Sequence, residues 1–200
     1  MEHPQTALPE GLTLQAVSDR GTDSAPWFAI NARPRYEKMV AAMLAYKGCS
    51  AYLPLYRKRR KWSDRVVEID YPLFPGYLFC RFHATQRRPV ITTPGVVSVL
   101  GASGQPEPIP EHEITAIQNM LRSGFPVEPH PHLREGERIT ISKGPLRGVD
   151  GFLVKTKSHL KVVVSVTILH RSVAVELDQE ALQGYEVTTN QPLQPQRSRK

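Results

Sequence analysis

Residues 72 to 82 read PLFPGYLFCRF and carry the most concentrated recognition chemistry in the chain. Two prolines and Gly76 force a turn, after which alternation puts Tyr77, Phe79 and Arg81 on one face of a strand and Leu78, Cys80 and Phe82 on the other. Both faces are apolar. Helices can cover one, while the face with Tyr77 and Phe79, and Phe74 and Pro75 beside it, needs a further cover. Either another protein docks there, or both faces are ordinary core with helices on each side.

A second group is the run RKRRKWSDR at 57 to 65, in which Arg57, Lys58, Arg59, Arg60, Lys61 and Arg65 face Asp64 alone. A hairpin tip of this charge density, with Trp62 available to stack on a base, suits a phosphodiester backbone and holds no base code. The alternative is a solvated turn. Arg33, Arg35 and Lys38 extend the same basic surface. The whole chain points the same way, with 26 Lys and Arg against 19 Asp and Glu and a net charge of +7, which favours a polyanionic partner.

The third group is GPLRGVDG at 144 to 151. Gly144, Pro145, Gly148 and Gly151 supply the backbone angles of a tight strand connection. The segment lacks the Lys and Ser or Thr of a phosphate loop. The seven histidines are scattered, and the nearest pair, His130 and His132, sits between prolines without a third ligand. No nucleophile elbow, dinucleotide fingerprint or paired carboxylates occur. Neither an enzyme nor a cofactor or metal is expected. Cys49 and Cys80 are the two cysteines, set among apolar residues that would bury them reduced, which fits a cytoplasmic protein. No segment has the apolar length of a signal peptide or a membrane span, so no membrane partner is expected.

The elements that must position these groups divide the 200 residues into two domains between tails. Residues 1 to 25 and 188 to 200 lack any period. In the first domain, 26 to 121, a strand at 27 to 31 precedes a helix opened by Pro34, with Tyr36, Met39, Val40, Met43 and Leu44 on one stripe and Gly48 at its end. Strands follow at 51 to 56, 66 to 71 and 77 to 82, joined by the basic connection, and a second helix at 111 to 121 aligns Ile114, Ile117 and Leu121. Residues 122 to 134, rich in proline, read as a semi-rigid linker reaching roughly 40 Å. The second domain, 135 to 187, shows five short strands at 138 to 141, 151 to 155, 160 to 167, 172 to 177 and 184 to 187. The fold class is α+β: an antiparallel sheet flanked by helices, then a small five-stranded SH3-like β-barrel.

WFAINARPRYEK at 27 to 38, YLPL at 52 to 55, KWSDR at 61 to 65, PLFPGYLF at 72 to 79 and TPGVVSVLG at 93 to 101 together resemble the N-terminal domain of the NusG family of transcription elongation factors. GPLRGVDG is similar to the KOW motif that follows in that family. Within it, the chain is most similar to the specialised UpxY- and RfaH-type antiterminators. The resemblance implies a four-stranded sheet that clamps RNA polymerase, joined to a KOW barrel that recruits other factors. It implies that Phe74, Pro75, Tyr77 and Phe79, with Trp27 and Ile30 lining or supporting the pocket, dock on the coiled-coil clamp helices of the largest polymerase subunit. Residues 86 to 88 match the segment facing the polymerase gate loop, although the residue types differ. Arg33 and Arg35 fall where RfaH-like members touch non-template DNA; nascent RNA is the other nucleic-acid partner expected. The barrel would meet the ribosome or Rho, and the chain would act as a monomer promoting pause-resistant transcription of long operons. The competing function is an RNA- or ribosome-binding KOW protein without polymerase contact.

The resemblance also raises a question of state, since in RfaH the second domain can be a helical hairpin that masks the polymerase site. Here Val162, Val163, Val164, Val166, Thr167 and Ile168 form a β-branched run, and Gly144, Pro145, Gly148 and Gly151 would cost a helix about 1 kcal/mol per interior Gly and about 3 for Pro. A barrel is expected in the intact chain, with the aromatic face of the first domain open.

Overall fold

The computed structural model describes residues 25–62, 65–133, 137–155, 160–177 and 187–190. The tails at 1–24 and 191–200, Ser63 and Asp64 of the basic run, and most of the strand expected at 184 to 187 lie outside them.

The first strand, β1 (Trp27–Ala32), is the centre of the first sheet. It pairs antiparallel with β5 (Tyr77–Arg81) on one side, and with β6 (Val96–Val99) and the short β9 (Pro108–Ile109) on the other. β2 (Ser50–Tyr52) extends the sheet beyond β5. With β9 the sheet has five strands, in place of the four the resemblance implies. Helix α1 (Glu37–Tyr46) begins three residues after Pro34. Arg35 adopts φ 69°, and the Tyr36 amide donates to the Arg33 carbonyl at 3.0 Å, so Pro34 and Arg35 are the middle of a turn that must close before the helix starts. Its buried side is Glu37, Val40, Ala41 and Leu44. The expected stripe is therefore rotated, and Tyr36 and Met39 are 43% and 37% exposed. Burying Val40 and Leu44 contributes about 1.5–3 kcal/mol each.

The run expected as one strand from 51 to 56 is broken at Pro54, which cannot donate to a ladder. After it, β3 (Leu55–Trp62) and β4 (Arg65–Pro72) form a separate two-stranded ribbon. Residues 57–62 of the basic run are thus the body of a strand rather than a turn, and Arg65 opens the returning one. Beyond β5 come a single turn (Ala84–Gln86), the short helix α2 (Arg88–Ile91) and a small hairpin of β7 (Gly101–Ala102) with β8 (Gln105–Pro106). Helix α3 (Glu111–Arg122) completes the domain.

The second sheet contains β10 (Val127–His130), β11 (Glu137–Ile141), β12 (Asp150–Lys155), β13 (Leu160–Val166), β14 (Arg171–Leu177) and β15 (Val187–Asn190), in the order β10-β14-β13-β12-β11-β15. All pairings are antiparallel. Two boundaries differ from expectation. Residues 127 to 130 are not spacer but a sixth strand, with Val127 opposite Val175 and Pro129 opposite Val173; Pro129 is accommodated because β10 lies at a sheet edge. The last strand runs past 187, where Thr188 and Thr189 favour extended chain. The tether between α3 and the second sheet is consequently only residues 123 to 126.

Two cores result. Phe28, Ile30, Val40, Leu44, Leu78, Cys80 and Phe82 fill the space between the first sheet and α1. Trp27, Tyr52, Phe74 and Phe79 belong to the other, which continues through Ile114, Ile117 and Met120 of α3 into Ile139, Val164 and Val173 of the second sheet. The alternation read at 77 to 82 thus sorts Phe79 from Leu78 and Cys80. Among the described residues no helix is long and apolar enough to cross a membrane.

Candidate functional site

The turn at Phe74, Pro75 and Gly76 is held from behind. Gly76 has φ +84°, a conformation that favours glycine. Its amide donates at 2.8 Å to Oε1 of Glu37, a buried carboxylate in the first turn of α1, and its carbonyl accepts from the Ala32 amide at 2.8 Å. A hydrogen bond to a charged group contributes about 1.5–3 kcal/mol, which favours this one geometry of the turn. Sequence reasoning missed Glu37; its one signal was an acid in the first turn of a helix, since Gly76 lies 39 residues away along the chain.

From that turn an aromatic row runs inward. Phe74 meets Phe79 edge to face at 5.6 Å, Phe79 stacks with Tyr52 at 6.2 Å, and Tyr52 lies 6.2 Å from Trp27. The Arg81 guanidinium sits 4.7 Å from the Trp27 ring centre and pairs with Glu111, which also accepts from the indole nitrogen at 3.3 Å. Burial pushes the Tyr52 hydroxyl up from its ordinary value. Phe74 and Phe79 have no exposed surface, whereas Pro75 is exposed and Tyr77 half-buried. The structure therefore brings Trp27, Phe74 and Phe79 together as core, with Pro75 and Tyr77 as their open edge. Ile30 is in the opposite core beneath α1 and cannot line this face.

The second domain reaches that edge in the intact chain and covers part of it, whereas a fully open face was expected. Arg171, at the start of β14, places its guanidinium 5.3 Å from the Tyr77 ring centre and donates to the Pro75 carbonyl at 3.2 Å. Further along, the buried Glu113 of α3 accepts from the Thr167 amide at 3.2 Å and from its hydroxyl at 2.7 Å, while Asn119 donates to the Arg147 carbonyl at 3.1 Å. α3 accordingly buries Glu113, Ala116 and Met120 as well as Ile114 and Ile117. The second domain is nevertheless built of strands, as its β-branched run predicts.

On the ribbon, Arg57 lies 3.4 Å from both Glu68 and Asp70, and Arg59 lies 3.0 Å from Glu68, whose carboxyl the Arg59 hydrogen bond holds below the usual range. Lys58, Arg60 and Lys61 are exposed, as are Arg33, Arg35 and Lys38 at the entry to α1, a separate element. In the segment at 86 to 88, Gln86 and Arg88 are exposed and Arg87 donates to the Gly104 carbonyl at 3.1 Å.

In the motif at 144 to 151, Gly144 and Gly148 do adopt positive φ, at 88° and 80°. Pro145 is exposed. Gly151 serves differently: a Cβ there would lie 2.5 Å from the Val163 carbonyl oxygen, so close strand approach requires the glycine. Among the described residues no three His, Cys, Asp or Glu converge as metal ligands. Cys49, half-buried, is hydrogen-bonded by the Cys80 thiol and lies near Lys47, which together bring it down to about 7.

A helix-flanked antiparallel sheet, followed by a small β domain with a glycine-rich connection between β11 and β12, fits the architecture that the resemblance implies. Residues 25–118 match the family described as NusG, transcription termination factor nusG. The chain is 30% identical over 168 residues to the transcription termination/antitermination protein NusG of Buchnera aphidicola, covering 76% of this chain and 92% of that protein. It is 29% identical to the protein of the same name from Escherichia coli K12, with the same coverage. Among solved structures, one of Thermotoga maritima NusG, described for its domain interaction, aligns with a TM-score of 0.44 at 21% identity, covering 79% of this chain and 96% of that one. The chain belongs to the NusG family of transcription termination/antitermination factors.

Proposed function

We propose that this chain binds RNA polymerase through the edge formed by Pro75 and Tyr77, docking on the clamp helices of the largest subunit, and that it promotes processive transcription of particular long operons in the cytoplasm. The observation that carries this reading is a surface aromatic edge fixed before any partner arrives: Glu37 pins Gly76, and Tyr77 packs against the core to which Phe74 and Phe79 belong. Preorganised aromatic anchors lose little entropy on docking. Trp27 and Phe79 act as the rigid backing of the site. The segment at 86 to 88 faces the opposite pincer, and Arg33, Arg35 and Lys38 approach non-template DNA. A protein bridging both sides performs no chemistry; it shifts the polymerase population away from the paused, open state.

Since Arg171 occupies the same edge, docking on the clamp displaces the second domain, which is then free to engage the ribosome or Rho. The test is co-purification of polymerase with the intact chain and with Tyr77→Ala. Loss of polymerase with an unchanged melting temperature supports the reading. Retention of polymerase by the variant refutes the site, and absence of polymerase from both, with rRNA retained, favours an RNA- or ribosome-binding role instead.

A further inference from the structure

The ribbon of β3 and β4 sorts its charges by face. Register places Arg57 opposite Asp70, Arg59 opposite Glu68 and Lys61 opposite Val66, so these six share one side. There three cations meet two carboxylates, and both arginines are ion-paired. The other side carries Lys58 opposite Ile69, Arg60 opposite Val67 and the register position of Arg65. Among the described residues no carboxylate lies within ion-pair distance of Lys58, Arg60 or Arg65, and all three are exposed. Val67 and Ile69 between them are half-buried, while Val66 on the paired side is 62% exposed. The sequence run at 57 to 65 looks uniformly basic only because Glu68 and Asp70 stand on the returning strand.

We propose that the face of Lys58, Arg60 and Arg65 is a sequence-independent contact for the phosphate backbone of duplex DNA, and that the opposite face takes no part. This deepens the reading of the chain as a transcription factor and rests on it. The face has no Asn or Gln to read base edges. Its cations stand on one side of a ribbon whose eight-residue strands span about 26 Å, so the ribbon lies along a duplex. Duplex DNA offers one charge per about 1.7 Å of axis and releases more counterions per contact than a single strand.

The test uses the intact chain and fluorescent 20-base-pair duplex or single-stranded DNA, with affinity followed by anisotropy across a salt series and without polymerase. One variant is Lys58→Gln with Arg60→Gln. The other is Arg57→Gln, Arg59→Gln, Glu68→Gln and Asp70→Asn, which removes the four ion-paired charges of the opposite face at constant net charge and leaves Lys61 in place. The first variant is expected to bind duplex more weakly and to lower the slope of log affinity against log salt by about 2, at roughly 0.9 per phosphate contact. The second is expected to match the parent, and duplex to bind more tightly than single strand. Equal losses in both variants, no loss in the first, or preference for single strand each overturn the proposal. Melting temperatures check folding, and polymerase co-purification with the first variant separates failure here from failure of the polymerase reading.

Discussion

Replacing Glu113 by Ala removes a buried carboxylate that α3 presents to the second domain. It is 7% exposed and accepts two hydrogen bonds from Thr167, at 2.7 and 3.2 Å. Each bond to a charged acceptor contributes about 1.5–3 kcal/mol when its donor would otherwise be buried, but Thr167 is exposed and water can replace the lost partner. A loss of about 2 kcal/mol from the domain contact follows, or roughly 30-fold toward the separated state at 1.4 kcal/mol per tenfold. The variant also loses an acid from the first turn of α3, worth about 0.3–1 kcal/mol to the helix itself. Thr167→Val isolates the contact from that effect: it deletes the hydroxyl and keeps the amide, and the double variant should show a coupling of at least about 0.5 kcal/mol. Amide NMR spectra of the intact protein provide the assay. Resonances of α3 and β14 should move toward their positions in the separately expressed domains, further for Glu113→Ala than for Thr167→Val. Superimposable spectra, or strictly additive shifts, would refute the account of the domain contact.

Phe79→Ala should lower stability by about 3–5 kcal/mol because the ring is fully buried, whereas Tyr77→Ala should cost under about 1.5 by chemical denaturation. Equal costs would mean that the two rings are not divided into core and edge. Gly151→Ala should destabilise the second domain by about 1–3 kcal/mol through the clash with Val163, read as selective loss of amide protection in β12 and β13; uniform protection would contradict it. Cys49 is held below an ordinary thiol chiefly by the Cys80 hydrogen bond, so its thiolate forms as pH rises through about 7. Its alkylation rate should climb through that pH, and Cys80→Ala should move the midpoint upward; an unmoved midpoint would remove Cys80 as the cause.

What the sequence made legible was local. Alternation at 77 to 82 separated Phe79 from Leu78 and Cys80 because a strand's period is set by its backbone alone. The β-branched run at 162 to 168 excluded a helix for the same kind of reason. What it hid depended on distant chain. The neutralising acids of the basic run lie on the returning strand, and β10 reads as linker because its Pro129 makes sense only once β14 lies beside it. The burial of Ala116, Met120 and Glu113, and the Arg171 contact with Tyr77, arise where two domains meet, and no single-segment pattern records that.

The central claim is tested most directly by titrating the intact chain against a purified clamp-helix fragment of the polymerase largest subunit, with Tyr77→Ala and Arg171→Ala in parallel. Tyr77→Ala is expected to weaken binding by about 30-fold or more, as for an interface hot spot of at least about 2 kcal/mol, while Arg171→Ala tightens it by releasing the occupied edge. Unchanged affinity for a normally folded Tyr77→Ala protein would contradict the account.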